Sequence, residues 1–300
     1  MCAHYRPAQP NRTPRPELHA PVTIVPLPSL GVHLQGVSVA GVETWLRVPE
    51  WSLGFDIGRC PELAVRSKYI ALSHAHMDHA AGLAMYLALR KMYGLTPTTV
   101  FAPAAACDDL LAMVHSWERM HGREFPWILQ PVVPGEEYSI GGGRFLRTFA
   151  VDHVVPAIGY CVTVRSHRLR DDLSGETAEQ LRHLRDVGQE MSSPIERILL
   201  AVTGDTRAHV TLESPETVGA EVLVAEATFV DSLRTVAEAQ ERGHTHLDEL
   251  AQFAERLAHN RQVVLYHISQ IHSVADARRA LKGCLPPALL AKTSMLLPPS

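Results

Sequence analysis

The segment Ser73-His74-Ala75-His76-Met77-Asp78-His79 constrains this chain more than any other stretch. It follows an apolar run, Tyr69-Ile70-Ala71-Leu72, short and bounded enough to be a buried strand. The residues after it, Ala80 to Tyr93, repeat apolar side chains at helical spacing and stop at Gly94. Three imidazoles and a carboxylate therefore crowd into a strand-to-helix turn, where side chains converge on one point. His74 and His76 lie two apart on extended backbone, project the same way and reach one ion. Asp78 and His79 come after the turn and point elsewhere, which suits a second ion nearby. Imidazole and carboxylate without thiolate favour zinc, with manganese or iron as competitors.

Further along, the same construction recurs. From Val22 to Ile57, short apolar runs broken by Gly31, Gly36, Gly41 and Gly54 read as strands and hairpins. Strand–helix alternation follows, with a strand at Thr99-Val100-Phe101 and a helix from Ala104 to about Met120. Arg144 to Val151 and Ile158 to Arg165 read as strands, and His153 follows the first as His74 follows its own. Ile198 to Val202 leads to Asp205, Val222 to Ala225 leads to Glu226, and Val263 to Tyr266 leads to His267. Thr245 is positioned to cap a helix running to about His259, with Asp248 as its capping-box partner and His244 at the entrance. Each strand end delivers an ionisable residue, and together they are enough for two coordination shells.

Composition limits the partners. With 32 acidic against 28 basic residues and a net charge of -4, the chain has no overall nucleic-acid footprint, so an RNA must be held by a local patch. The polar excursion 166–193, helical over 176–191, looks like a lid or arm. With Arg165 beside it, its arginines (Arg168, Arg170, Arg182, Arg185) form the densest basic cluster, which points to an RNA-facing role. The 5 cysteines are odd in number, scattered and free of any CxxC pair, as expected in a reducing cytoplasm without a disulfide frame. No segment reaches the length of a membrane span, and the N-terminus lacks a secretory apolar core, so no membrane role is expected. Residues 1–21, rich in proline and arginine, read as a flexible leader to a single domain over 22–300.

His74-Ala75-His76-Met77-Asp78-His79 resembles the HxHxDH signature of the metallo-β-lactamase superfamily, and the later pieces resemble ribonuclease Z within it. Those pieces are His153 followed by Gly159-Tyr160, Thr203-Gly204-Asp205-Thr206, Glu226-Ala227-Thr228-Phe229, Gly243-His244-Thr245-His246-Leu247 and His267-Ile268-Ser269. Phe55-Asp56-Ile57-Gly58-Arg59-Cys60-Pro61 and Leu173-Ser174-Gly175 are closest to the short, plant-type form. The resemblance implies an α/β fold, a four-layer αβ/βα sandwich around a two-zinc site. It implies that His74, His76 and His153 hold one zinc while Asp78, His79 and His267 hold the other, with Asp205 bridging.

The same resemblance implies a zinc-dependent endoribonuclease that removes the 3′ trailer from precursor tRNA by hydroxide attack on a phosphodiester. Asp78 then acts in catalysis as well as ligation, and Glu226 with His244 is the proton donor to the departing 3′ oxygen. A homodimer is expected, because in the family one subunit's arm clamps the tRNA cut by the other. Two departures favour an alternative, a hydrolase of a small phosphodiester or other ester on the same metal site. Gln270-Ile271-His272 stands where the family usually has an arginine able to contact phosphate, and the excursion 166–193 is short. A non-catalytic RNA-binding relative is a further alternative, disfavoured because every expected ligand is present.

Overall fold

A computed structural model of the chain describes residues 22–297. The leader expected at 1–21 lies outside the described residues. Seven strands in chain order form the first sheet: β1 (Thr23–Leu27), β2 (Val32–Val39), β3 (Glu43–Val48), β4 (Leu53–Phe55), β5 (Tyr69–Ala71), β6 (Thr98–Pro103) and β7 (Trp127–Val132). The second sheet holds β8 (Glu137–Gly141), β9 (Arg144–Ala150), β10 (Ile158–Leu169), β11 (Ser192–Val202), β12 (Val222–Glu226), β13 (Gln262–Tyr266) and β14 (Thr293–Met295), in the reverse spatial order. Each sheet is antiparallel through its first four strands and parallel through its last four. β4 to β6, β12, β13 and the last residues of β11 are near-continuous runs of buried residues, as expected of strands covered on both faces.

Burial divides into three apolar cores, and these define the layers. One core lies between the sheets and joins Leu27, Leu46 and Phe55 to Leu146, Val202 and Val224. Another seats the helices Leu83–Met92 and Cys107–His121 on the outer face of the first sheet through Ile70, Leu87, Val100 and Val114. The third seats Leu247–Gln252 and Val274–Cys284 on the second sheet through Leu223, Leu250, Leu265 and Ala277. Helix, sheet, sheet and helix give the four-layer sandwich expected from the sequence.

Strand direction positions the site. β9, β11, β12 and β13 run the same way, so their C-terminal ends share one edge. The end of β5 meets that edge, since Ile158 N donates to Ser73 O (2.8 Å) and Tyr160 Oη to Leu72 O (2.8 Å). Gly58 backs the junction: a Cβ there would lie 2.2 Å from Asp78 O, so any side chain would push the motif out of place.

Several local expectations change. The helix after the motif is broken, Met77–Ala80 and then Leu83–Met92. The cap of Leu247–Gln252 is His246 with Glu249, in place of Thr245 with Asp248, because the Thr245 hydroxyl is spent on Thr206 O (2.9 Å). The excursion is largely sheet: β10 and β11 pair with each other from Val164 and Arg197 out to Leu169 and Ser192. This ribbon carries a short helix, Ala178–Asp186, at its tip. The basic cluster on it is largely neutralised. Arg165 is paired with Glu137 and Glu196, Arg168 with Asp171, and Arg170 with Asp172.

Candidate metal centre

The sequence-derived ligands come together in two groups. His74, His76, His153 and Asp205 form one, and Asp78, His79 and His267 the other, each with its nearest ligand atoms within 4.8 Å of one another. Asp205 lies between them, its Oδ2 3.6 Å from His74 Nε2, 3.5 Å from His79 Nε2 and 3.4 Å from His267 Nε2. Asp78 Oδ2 is 3.4 Å from His267 Nε2 and 3.5 Å from His79 Nε2.

Hydrogen bonds behind the cluster fix which nitrogen faces inward. His79 Nδ1–H donates to Asp56 Oδ2 (2.8 Å), and His153 Nδ1–H to Gly243 O (2.9 Å). The Ser73 hydroxyl donates to Asp56 and so accepts from His74 Nδ1–H (2.9 Å). The Thr228 hydroxyl donates to Glu226 Oε2 (2.7 Å) and so accepts from His267 Nδ1–H (3.0 Å). With Nδ1 carrying the proton in each case, four Nε2 lone pairs point into the cluster. His74 Nε2 then faces His76 Nδ1 at 3.0 Å, and His79 Nε2 faces His267 Nε2 at 3.1 Å. Asp205 Oδ1 is buried with no hydrogen-bond partner among the described residues. Opposed lone pairs and an orphaned carboxylate oxygen at these separations call for cations, so the residues present fit bound metal.

Within the cluster the carboxylates and imidazoles shift one another's charge. Burial penalises the Asp205 and Asp78 carboxylates, but the surrounding imidazoles, His267 foremost, hold both well below the usual carboxylate range. Burial, together with its histidine neighbours, keeps His74 well below the usual imidazole range despite Asp205. His79 is also disfavoured by burial, yet Asp205 and Asp56 raise it well above that range.

Asp56, in Phe55-Asp56-Ile57-Gly58, is a site residue that the sequence motifs do not single out. Its carboxylate accepts from Ser73 N (2.7 Å) and Ser73 Oγ as well as His79, so it pins the entire motif to the end of β4. Its signal was an acid directly following a buried strand. Asp56 and His267 have φ of 58° and 62°, left-handed backbone that costs a non-glycine residue on the order of 1 kcal/mol or more. Ser38 Oγ holds His267 there by accepting from its N–H (3.0 Å). Gly243, at φ +77°, is where a Cβ would stand 2.8 Å from His153 Nδ1, so only glycine lets that imidazole approach its carbonyl.

Glu226 and His244 meet beside the cluster. Fully buried Glu226 accepts from Thr206 N (2.9 Å) and Thr228 N (3.1 Å), and its Oε1 accepts from His244 Nδ1–H (3.0 Å). Burial lowers the His244 imidazole, but the Glu226 carboxylate more than offsets this and lifts it to about 9. His244 is also close enough to Asp205 and His267 to complete a third group of potential ligands. Its Nδ1 proton is committed to Glu226, however, which suits a donor better than a ligand. His272 does not face the site as a substitute cation: it is buried, with Nδ1–H donating to Asp231 Oδ2 (3.1 Å).

Metal removal should therefore be visible in stability. Stripping the ions leaves the lone pairs opposed, and ligand-linked stabilisation amounts to about 4 kcal/mol at roughly 1,000 times the dissociation constant. Chelation is expected to lower Tm by several degrees and re-addition of zinc to restore it; a Tm unmoved by both would contradict a metal centre.

A domain model described as "Beta-lactamase superfamily domain" matches residues 58–268. The chain is 33% identical to the protein named tRNase Z TRZ2, chloroplastic, of Arabidopsis thaliana, over 83% of this chain and 70% of that one. With tRNase Z TRZ1 of the same plant it shares 30% identity over 86% of this chain and 92% of the relative. Among solved structures, human tRNase Z, short form, superposes with a TM-score of 0.54 at 18% identity, covering 79% of this chain and 91% of that one. The metallo-beta-lactamase fold protein YhfI of Bacillus subtilis gives 0.57 at 13%, covering 89% and 97%. The two structural matches bear on the fold, and the sequence relatives on descent. The chain belongs to the tRNase Z family of the beta-lactamase superfamily.

Proposed function

We propose that this chain is a metal-dependent endoribonuclease that removes the 3′ trailer from precursor tRNA. The observation that carries the reading is the pairing of Glu226 and His244 next to a seven-ligand cluster, in a chain of tRNase Z descent. A ribose alkoxide is a poor leaving group and needs a proton, and a charged imidazole held by a buried carboxylate supplies one.

His74, His76 and His153 would hold one ion, Asp78, His79 and His267 the other, and Asp205 would contact both. We assign two zinc ions, with manganese or iron as substitutes. When bound, such ions supply a Lewis acid for the phosphoryl oxygens and a nucleophile at neutral pH. The protein's own groups do the remainder. Asp78 orients the attacking oxygen and accepts its proton, while Asp56, Ser73, Thr228 and Gly243 hold the imidazoles in the productive tautomer. His244 Nε2–H faces the departing 3′ oxygen and gives up its proton, and Glu226 keeps the imidazole charged and aimed. End-group analysis tests this: the expected products are a tRNA with a 3′-hydroxyl and a trailer with a 5′-phosphate. A 5′-hydroxyl on the trailer would contradict it.

We assign the ribbon 166–193 to tRNA docking and the assembly to a homodimer. Among the described residues no helix is long and apolar enough to cross a membrane, and the described cysteines are free. Both fit a cytoplasmic enzyme.

One observation favours a second reading, hydrolysis of a small phosphodiester: three arm arginines are already paired with carboxylates. Deleting residues 176–191 separates the two. The expected result is weakened tRNA processing with hydrolysis of a nitrophenyl phosphodiester spared. Unchanged tRNA processing would show that the ribbon is only surface.

A further inference from the structure

Three loops lead away from Glu226, His244 and His267: 227–235, 243–246 and 268–273. Close to the cluster the main chain already joins them. Ser269 N donates to Thr228 O (2.9 Å) and Leu247 N to Phe229 O (2.9 Å). Farther out, a single residue meets all three. Asp231 Oδ1 accepts from Leu233 N (2.9 Å), closing a turn within its own loop. Its Oδ2 accepts from His272 Nδ1–H (3.1 Å) in the loop after β13. Its carbonyl accepts from His246 Nε2–H (3.2 Å), and His246 Nδ1 accepts from Asp248 N (3.1 Å), which puts the ring proton on the side facing Asp231.

His272 gives a second reason to look here. It is buried, and its Nε2 has no hydrogen-bond partner among the described residues. An apolar side chain would fill that space without leaving a polar atom unsatisfied. What the imidazole contributes instead is its bond to Asp231.

We propose that Asp231 is a positioning residue for the proton-donating pair, tying the loops of Glu226, His244 and His267 together so that His244 keeps its reach to the departing oxygen. The proposal rests on the reading of His244 as proton donor. Without the carboxylate, the outer part of the loop 268–273 loses its tie to 227–235 and only the main-chain bond from Ser269 N to Thr228 O remains. The turn that presents the carbonyl of residue 231 to His246 is undone as well, and His246 stands two residues from His244. Glu226 and the ligand groups keep their own bonds to Thr206, Thr228, Asp56 and Gly243, so the effect falls on the donor's placement and spares the metal.

The test uses the full, zinc-loaded chain as wild type, Asp231→Ala, Asp231→Asn, His244→Ala and the Asp231→Ala/His244→Ala double variant. Each is measured on precursor tRNA and on a nitrophenyl phosphodiester, whose leaving group needs no proton. Asp231→Ala is expected to lower kcat on tRNA by about 10- to 100-fold, the scale of an ångström-level misplacement. Its KM, metal content and nitrophenyl ester hydrolysis should stay near wild type. Asp231→Asn, which keeps an acceptor for His272, should recover most of the loss, and in the His244→Ala background Asp231→Ala should cost nothing further. Equal losses on both substrates, or additive losses in the double variant, would reduce Asp231 to general support and overturn the proposal. If His244→Ala itself treats the two substrates alike, the donor reading fails and takes this one with it. A split for His244→Ala with none for Asp231→Ala defeats the positioning role alone.

Discussion

Asp78→Ala is expected to abolish metal-dependent hydrolysis while leaving a folded chain. Its Oδ2 accepts from Gly41 N (2.7 Å) and stands 3.4 Å from His267 Nε2, so in the proposed mechanism its loss removes a metal ligand and the carboxylate assigned to orient the attacking oxygen together. Removing one member of a unit that acts jointly costs on the order of 10⁴-fold in rate. The fold should survive, because Asp78 is part of none of the three apolar cores, and its neighbours His79 and His267 keep their bonds to Asp56 and Thr228. Circular dichroism and Tm establish folding, and turnover on either substrate gives the effect. Activity close to wild type would refute the assignment of Asp78.

Glu226→Ala and His244→Ala are expected to divide the substrates by leaving group. General acid catalysis contributes about 10²- to 10⁴-fold, and that factor should be lost on precursor tRNA and largely retained on a nitrophenyl phosphodiester. His244→Ala should show the cleaner split, since Glu226 holds that imidazole at 3.0 Å but also orients the Thr228 hydroxyl behind His267. Glu226 also accepts from the backbone at Thr206 and Thr228, so Glu226→Gln is the gentler control for folding. Equal losses on both substrates would remove the proton-donor role.

The clustering of the candidate ligands was legible because their pattern is local: period-two spacing brings His74 and His76 together, and each later candidate follows a run of buried-strand residues. What stayed hidden depends on contacts between distant segments. Asp56 orients His79 from 23 residues away, and its place directly after a buried strand is a signal that does not say which imidazole it serves. Thr245 looks like a cap until Thr206 O takes its hydroxyl. The arm arginines look free for RNA until Glu137 and Glu196, on other strands, come alongside Arg165. β10 and β11 extend past their apolar runs because Arg165 to Leu169, mostly polar, pair with Ser192 to Glu196, a match across a long excursion. The short edge strand β14 and the helix Val274–Cys284 lie beyond the last recognisable motif, and their packing partners are set by the sheet.

Cleavage of an end-labelled precursor tRNA by the zinc-loaded protein, with the cut mapped to the nucleotide and Asp78→Ala as control, tests the central claim most directly. A single metal-dependent cut just after the discriminator base, absent in the variant, is the result expected of a tRNA 3′-processing enzyme. An intact precursor, alongside metal-dependent hydrolysis of a nitrophenyl phosphodiester, would contradict it and move the substrate to a small ester.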